Sequence, residues 1–144
     1  MTHRVKRSAL VNHSAQQMFD LVNDIEAYPQ YMSDCVSAEV LRRGEGWLEA
    51  KLELQKAGIR QSFVTRNELR PPREMTLSLV DGPFSHLEGK WSFDTVADGC
   101  RVTLELEFAM RNRLLSMAAG KFFEAAASQQ VDALCSRARQ VYGT

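Results

Sequence analysis

Residues 112–142 read NRLLSMAAGKFFEAAASQQVDALCSRARQVY, a run of about thirty residues without a proline in which apolar side chains return every three or four positions. That spacing predicts one long helix. Phe123, Ala127, Val131, Leu134, Ala138 and Val141 fall on one stripe that faces a core, and Ser128, Asp132, Ser136 and Arg139 lie opposite it. At about 1.5 Å per residue the helix would span roughly 45 Å, so a small domain holds only one such element and packs along most of it. Its first half carries Leu114, Leu115, Ala118, Ala119, Phe122, Phe123, Ala125 and Ala126, interrupted mainly by Lys121 and Glu124. Such a surface is either buried on two sides by sheet and loops or forms one wall of a ligand site.

Upstream, the apolar period changes to two, the repeat of strands. Residues 3–12 alternate weakly. Ser14-Ala15-Gln16-Gln17 has the spacing of a capping box that opens a short helix burying Met18, Leu21, Val22 and Ile25. Pro29 restricts the segment 24–33 to a helical turn or two bearing Tyr28, Tyr31 and Met32. Strands are then expected over 34–43, 47–55, 59–70, 74–80, 86–96 and 100–110. They are separated by Gly44-Glu45-Gly46, Ala57-Gly58, Pro71-Pro72, Asp81-Gly82-Pro83-Phe84 and the hairpin signal Asp98-Gly99. Short turns between consecutive strands specify an antiparallel meander with one dry face. Seven strands about 4.8 Å apart make a sheet roughly 30 Å across, and a helix about 10 Å thick cannot cover it flat. The fold class is therefore α+β, a curved seven-stranded antiparallel sheet wrapped around the C-terminal helix, with two short helices after the first strand. Gly89 and the Gly/Pro breaks are the expected places for the bend.

The whole chain, 1–144, reads as a single domain: 44% of its residues are hydrophobic and 25% charged. Eighteen basic and eighteen acidic side chains cancel, so no global field draws it to nucleic acid or anionic lipid. No long apolar run or signal-peptide pattern is present, and a cytoplasmic location is expected. Cys35, Cys100 and Cys135 are odd in number and widely spaced, which speaks for buried thiols rather than a disulfide framework or a zinc site. His3 and His13 flank the first strand and are expected to meet solvent; His86 opens a strand. Nothing pairs a nucleophile with a base, and no HExxH, CxxC, GxxxxGK or GxGxxG occurs, so no catalytic residue, metal or cofactor is assigned.

A curled sheet gripping an alanine-rich helix leaves room for an apolar pocket. Its expected lining is Tyr28, Tyr31, Met32, Phe63, Leu79, Phe84, Trp91, Phe122 and Val131. Gln61, in phase with Ile59, Phe63 and Thr65, is its polar handle. Trp47 falls on the outer face.

Several motifs together resemble one family. They are Val22-Asn23-Asp24-Ile25-Glu26-Ala27-Tyr28-Pro29-Gln30-Tyr31 with Cys35, Lys56-Ala57-Gly58-Ile59, Thr65-Arg66-Asn67, Leu79-Val80-Asp81-Gly82-Pro83-Phe84, and Leu87-Glu88-Gly89-Lys90-Trp91 with Phe93. In combination they resemble the RatA and coenzyme Q-binding branch of the START-like, helix-grip proteins, over nearly the whole chain. The chain departs from that pattern at Met32-Ser33-Asp34, where members often carry a proline before the cysteine. The resemblance implies a split function. One side of the branch binds ubiquinone or another polyprenyl lipid and supports respiration without catalysis. The other is a toxin that binds the large ribosomal subunit and blocks subunit joining; whether it has an antitoxin partner is left open by the sequence. From sequence, the carrier of a hydrophobic ligand is placed first and the ribosome-binding toxin second. A polyketide cyclase-like enzyme comes third, because the inner face offers only uncharged polar groups. For ribosome contact the candidate cations are Arg66, Lys90, Arg111 and Arg113, since phosphates need local positive charge.

Overall fold

The computed structural model describes residues 2–56, 58–112 and 116–143. Its elements are β1 (Thr2–Val11), α1 (Ala15–Asn23), a 3-10 segment (Ile25–Gln30), β2 (Cys35–Gly44), β3 (Trp47–Lys56), β4 (Ile59–Arg70), β5 (Glu74–Asp81), β6 (Phe84–Val96), β7 (Gly99–Met110) and α2 (Ser116–Tyr142). The strands form one antiparallel sheet in the order β1-β7-β6-β5-β4-β3-β2. β2 to β7 are the expected meander. β1 adds beside β7, so α1 and the 3-10 segment must carry the chain from one edge of the sheet to the other.

α1 starts as its sequence dictates. Ser14 Oγ accepts from the Gln17 N–H at 3.0 Å, and the Ser14 N–H donates to Gln17 Oε1 at 2.9 Å, a box worth about 1 kcal/mol through the cap. The turn at 32–35 forms without the family's proline, because the Cys35 N–H donates to the Met32 carbonyl at 3.0 Å. Curvature enters through irregular register at Cys35/Ser37, Val40/Arg42, Val64/Thr65 and Phe84/His86, where an extra residue increases local twist. Gly89 keeps regular pairing instead. A Cβ there would lie 3.2 Å from both Leu77 Cδ1 and the Glu105 carbonyl and would also meet Leu106 Cδ2, so this glycine permits close packing rather than a bend.

α2 spans Ser116–Tyr142, 27 residues and about 40 Å; the part of the expected helix at 113–115 lies outside the described residues. Phe123, Ala127, Val131, Leu134 and Ala138 are buried as the stripe requires. Val141 is not: it is 50% exposed, because the last turn is tied to the start of α1 rather than laid on the sheet. Tyr142 donates to the Gln17 carbonyl at 3.2 Å, and His13 Nε2 lies 2.8 Å from the Gly143 carbonyl. His13 is thus buried, not solvated, and His3 is stacked on Phe108 at 5.1 Å. Leu114 and Leu115 of the apolar first half, with Arg113 and the Ala119 side chain, lie outside the described residues.

Two apolar clusters fill the grip. Met18, Phe19 and Val22 of α1 pack with Val131, Leu134 and Ala138 over one end of the sheet. Ile25, Tyr28, Leu48, Leu54, Phe84 and Phe108 pack with Phe122, Phe123 and Ala126 at the other. The site lies where they meet.

Candidate functional site

Between α2 and the concave sheet is a chamber of about 70 Å3. Its aromatic wall is Phe63, Phe84, Trp91, Phe108 and Phe123, with Tyr28 from the 3-10 segment and Ala126 and Ala127 from the helix. The rings interlock: Phe84 lies 4.9 Å from Phe123, 5.7 Å from Phe63 and 5.9 Å from Phe108 between centroids. Besides the polar ends of Tyr28 and Trp91, the polar side chains of the lining are Thr65, Asn67 and Gln130. The Thr65 hydroxyl donates to Asn67 Oδ1 at 2.7 Å, and Asn67 Nδ2 points to Met75 Sδ at 3.7 Å. Both side chains are buried, so the pair satisfies itself as buried polar groups must.

Of the residues expected to line a pocket, Tyr28, Phe63, Phe84 and Trp91 do so. Tyr31 and Met32 line a second crevice, of about 160 Å3, between the turn at 32–35 and the middle of α2. The remaining four border neither space. Phe122 sits one position round the helix from Phe123 and packs edge-on to it at 5.0 Å. Val131 is fully buried in the cluster under α1. Leu79 faces Thr65 across β4 and β5, and Gln61, half-buried, faces Leu54 across β3 and β4. On β4 the polar side chains that border the chamber are Thr65 and Asn67 rather than Gln61. Asn67 was legible in the sequence, since it continues the alternation Phe63, Thr65, but an asparagine between an arginine and a glutamate reads as surface.

Burial pushes the Tyr28 phenol well above its ordinary range, with the neighbouring Tyr31, Cys35 and Asp24 adding to the effect; its hydroxyl donates to the Val22 carbonyl. Burial raises Tyr31 too, against the opposing pull of Arg137, whose guanidinium lies 5.1 Å over the ring. Tyr142 is raised as well, again mainly by burial. Tyr28 and Tyr31 should therefore resist ionisation at pH 10, where a free phenol is half ionised, and the exposed Tyr142 much less so. Because the folded values exceed the unfolded ones, this contribution to stability is complete below about pH 10 and is lost as pH climbs through the folded values. Tyrosinate absorbance followed against unfolding should show the rise for Tyr28 and Tyr31 coinciding with loss of structure; their ionisation near pH 10 in the folded chain would contradict the buried geometry. Cys35 and Cys100 are buried and Cys135 is half-buried; burial raises each thiol, Cys100 to about 11.

The outer face of the sheet is a mosaic of opposite charges. Glu49 lies there by alternation yet is buried, because Arg42 Nη2 reaches its carboxylate at 2.7 Å and Arg66 Nη1 lies at 3.8 Å. The Arg66 guanidinium carbon also lies 4.1 Å over the Trp47 ring. Lys90 shares this face, opposite Thr76 and Glu105. Arg111 follows the far end of β7, its Nε donating to the Phe84 carbonyl at 3.0 Å. Phe84 is six residues from Lys90 along β6, roughly 20 Å away, so these cations are not gathered into one patch; Arg113 lies outside the described residues. His86, Glu88 and Glu107 bring one ligand-type atom each within 4.8 Å of one another on the same face, with Glu107 also engaged by Arg4 at 2.9 Å.

A curved antiparallel sheet closed by one long helix over a dry interior is the helix-grip frame of START-like binding domains. The chain belongs to the polyketide cyclase / dehydrase and lipid transport family, whose sequence model matches residues 11–135. It is 43% identical to the ribosome association toxin RatA of Vibrio cholerae serotype O1 over 97% of this chain and 98% of that one. It is 28% identical to the mitochondrial coenzyme Q-binding protein COQ10 homolog B of Xenopus laevis, over 94% of this chain and 58% of that one. Among solved structures, the Zhui aromatase/cyclase of Streptomyces sp. R1128 superposes with a TM-score of 0.89 at 18% identity, covering 98% of this chain and 96% of that one; at that identity the likeness is one of fold. Among the described residues no helix is long and apolar enough to cross a membrane.

Proposed function

We propose that the chain is a single-domain, non-catalytic binding protein that associates with the ribosome, through the large subunit as the RatA resemblance implies. The observation that carries this reading is the 43% identity to a ribosome association toxin along almost the full length of both chains. The interior agrees with it. About 70 Å3 is far below the roughly 300–1,000 Å3 of ordinary small-molecule pockets, so a polyprenyl quinone does not fit this chamber as it stands. Nor do the chamber's polar groups serve a cyclase: Thr65, Asn67 and Gln130 carry no titratable acid or base, and the Tyr28 hydroxyl is spent on Val22.

Arg66 is the cation best prepared for RNA. Its guanidinium lies over Trp47 and beside Glu49 while the side chain stays 40% exposed, which leaves it open to a phosphate or a base face. Lys90 is the second contact. The test is sedimentation with purified large subunits at increasing salt. Association should weaken steeply, and Arg66→Gln and Lys90→Gln should each reduce the log–log salt slope by about 1. Protein that stays at the top of the gradient at low salt would remove this reading. A second reading, a carrier of a quinone or similar hydrophobic ligand, is favoured by the dry aromatic wall with one buried polar pair. Solvent extraction of the native protein followed by mass spectrometry tests it.

A further inference from the structure

On the outer face of the sheet, His86, Glu88 and Glu107 converge as a mixed set of metal-ligand groups. His86 and Glu88 stand two residues apart on β6 and so point the same way, and Glu107 on β7 lies directly opposite Glu88 in the register. His86 Nε2 is 3.2 Å from Glu107 Oε2, and one donor atom from each of the three side chains lies within 4.8 Å of the other two. The register is irregular just before them, between Phe84 and His86, a device that re-aims side chains beside sites.

The ion pairs around this cluster leave a negative charge over. Arg4 lies opposite Glu107 on β1 and its Nε donates to Glu107 Oε1 at 2.9 Å, so Oε2 is left to the cluster. Glu88 makes no ion pair among the described residues, and like charges directly opposite across two strands repel. With a neutral imidazole, two carboxylates therefore face one guanidinium. Glu88 and Glu107 also border an open groove of about 450 Å3 that runs past Lys6 and Lys90, so an ion held by them has room for water on its free side. The donor types narrow the ion. Magnesium and calcium take oxygen ligands, whereas imidazole suits zinc and its neighbours. Around zinc, with bonds of about 2.0–2.2 Å, tetrahedral donor atoms stand roughly 3.4 Å apart. The 3.2 Å between His86 and Glu107 is close to that spacing, and the exposed Glu88 side chain needs only to swing in.

We propose that His86, Glu88 and Glu107 form a binding site for a divalent transition-metal ion of the zinc type, with water in the fourth position. Three protein ligands and an open place are the arrangement of an exchangeable site rather than a closed structural one. The site lies outside the grip and is independent of ribosome association: its loss leaves Arg66 and Trp47 untouched.

The experiment titrates the chelator-stripped full chain with zinc chloride by calorimetry, and with cobalt(II) followed by visible absorption. Wild type should take up one zinc ion per chain, which magnesium and calcium do not displace. Cobalt should show bands of nitrogen and oxygen ligation without the thiolate charge transfer that Cys35, Cys100 or Cys135 would give. His86→Gln and Glu88→Gln should each weaken zinc binding by at least about tenfold, the lower bound for disturbing even an outer-shell partner. Glu88→Gln removes a repelling charge and should leave the metal-free melting temperature unchanged or higher. Glu88→His supplies a donor again and should bind zinc more tightly than Glu88→Gln. Zinc should raise the melting temperature of wild type by mass action and that of the two glutamine variants much less. Absence of saturable zinc binding by wild type, thiolate bands from cobalt, affinity that survives both glutamine substitutions, or a loss confined to His86→Gln would each overturn the proposal.

Discussion

Phe84→Ala should cost about 3–5 kcal/mol of stability, the range for deleting a buried phenylalanine ring, and lower the melting temperature by roughly 6–20 °C in a domain of this size. Phe84 is 1% exposed and touches three other rings, Phe63, Phe108 and Phe123. With Phe123, which meets the same rings, it joins β4, β6, β7 and α2 through aromatic contacts at one point. Its position is set by the turn before it. Gly82 has φ 150°, and a Cβ there would fall 2.8 Å from Phe63 Cβ; only glycine lets the chain pass Phe63 and present Phe84 inward. The motif Val80-Asp81-Gly82-Pro83-Phe84 therefore has a packing reason, whatever the protein binds. Denaturant midpoints of wild type and variant check the magnitude. The cavity left behind should be dry and large enough to take xenon or benzene, so added benzene should restore part of the loss. A loss below about 1 kcal/mol would show that the four rings do not form the packed hinge of the grip.

Much of this architecture could be read from periodicity. A stripe at steps of three and four placed Phe123, Ala127, Val131, Leu134 and Ala138 against the sheet, and alternation assigned the faces of β3 and β7. Periodicity reports the direction a side chain points and nothing of its depth along the element. Ala127 and Val131 share a stripe, but Ala127 borders the chamber while Val131 is sealed beneath α1. Likewise Gln61 and Asn67 share a face of β4. The register shift between Val64 and Thr65 separates the two, and only Asn67 reaches the interior beside Met75. Burial on the wet face was also hidden, because Glu49 is covered by Arg42 and Arg66 from the two neighbouring strands, and cross-strand partners depend on register. The crevice at Tyr31 had no linear signature at all: its walls come from a turn, from the inner face of β3 and from α2, residues close only once the helix lies in the grip.

Ala127→Phe measures how far the grip can open. Ala127 is 3% exposed, lies between Phe123 and Val131 on the buried stripe, and borders the chamber. A phenyl ring needs about twice the chamber's 70 Å3, judged by the cavity that benzene fills. The added ring must therefore displace the side chains around it, a strain of about 1–3 kcal/mol and a fall of roughly 2–12 °C in melting temperature. The direction of the result bears on function. If the variant is destabilised and still sediments with large subunits, the interior is packed core and ribosome association resides on the outer surface, where Arg66 and Lys90 lie. If it melts like wild type, the sheet and α2 separate readily enough to admit a ring. The carrier reading then gains the volume that the closed chamber denies it, and the same variant should have lost extractable quinone. Thermal unfolding of the variant, measured beside quinone extraction and gradient sedimentation of the same preparation, separates these outcomes.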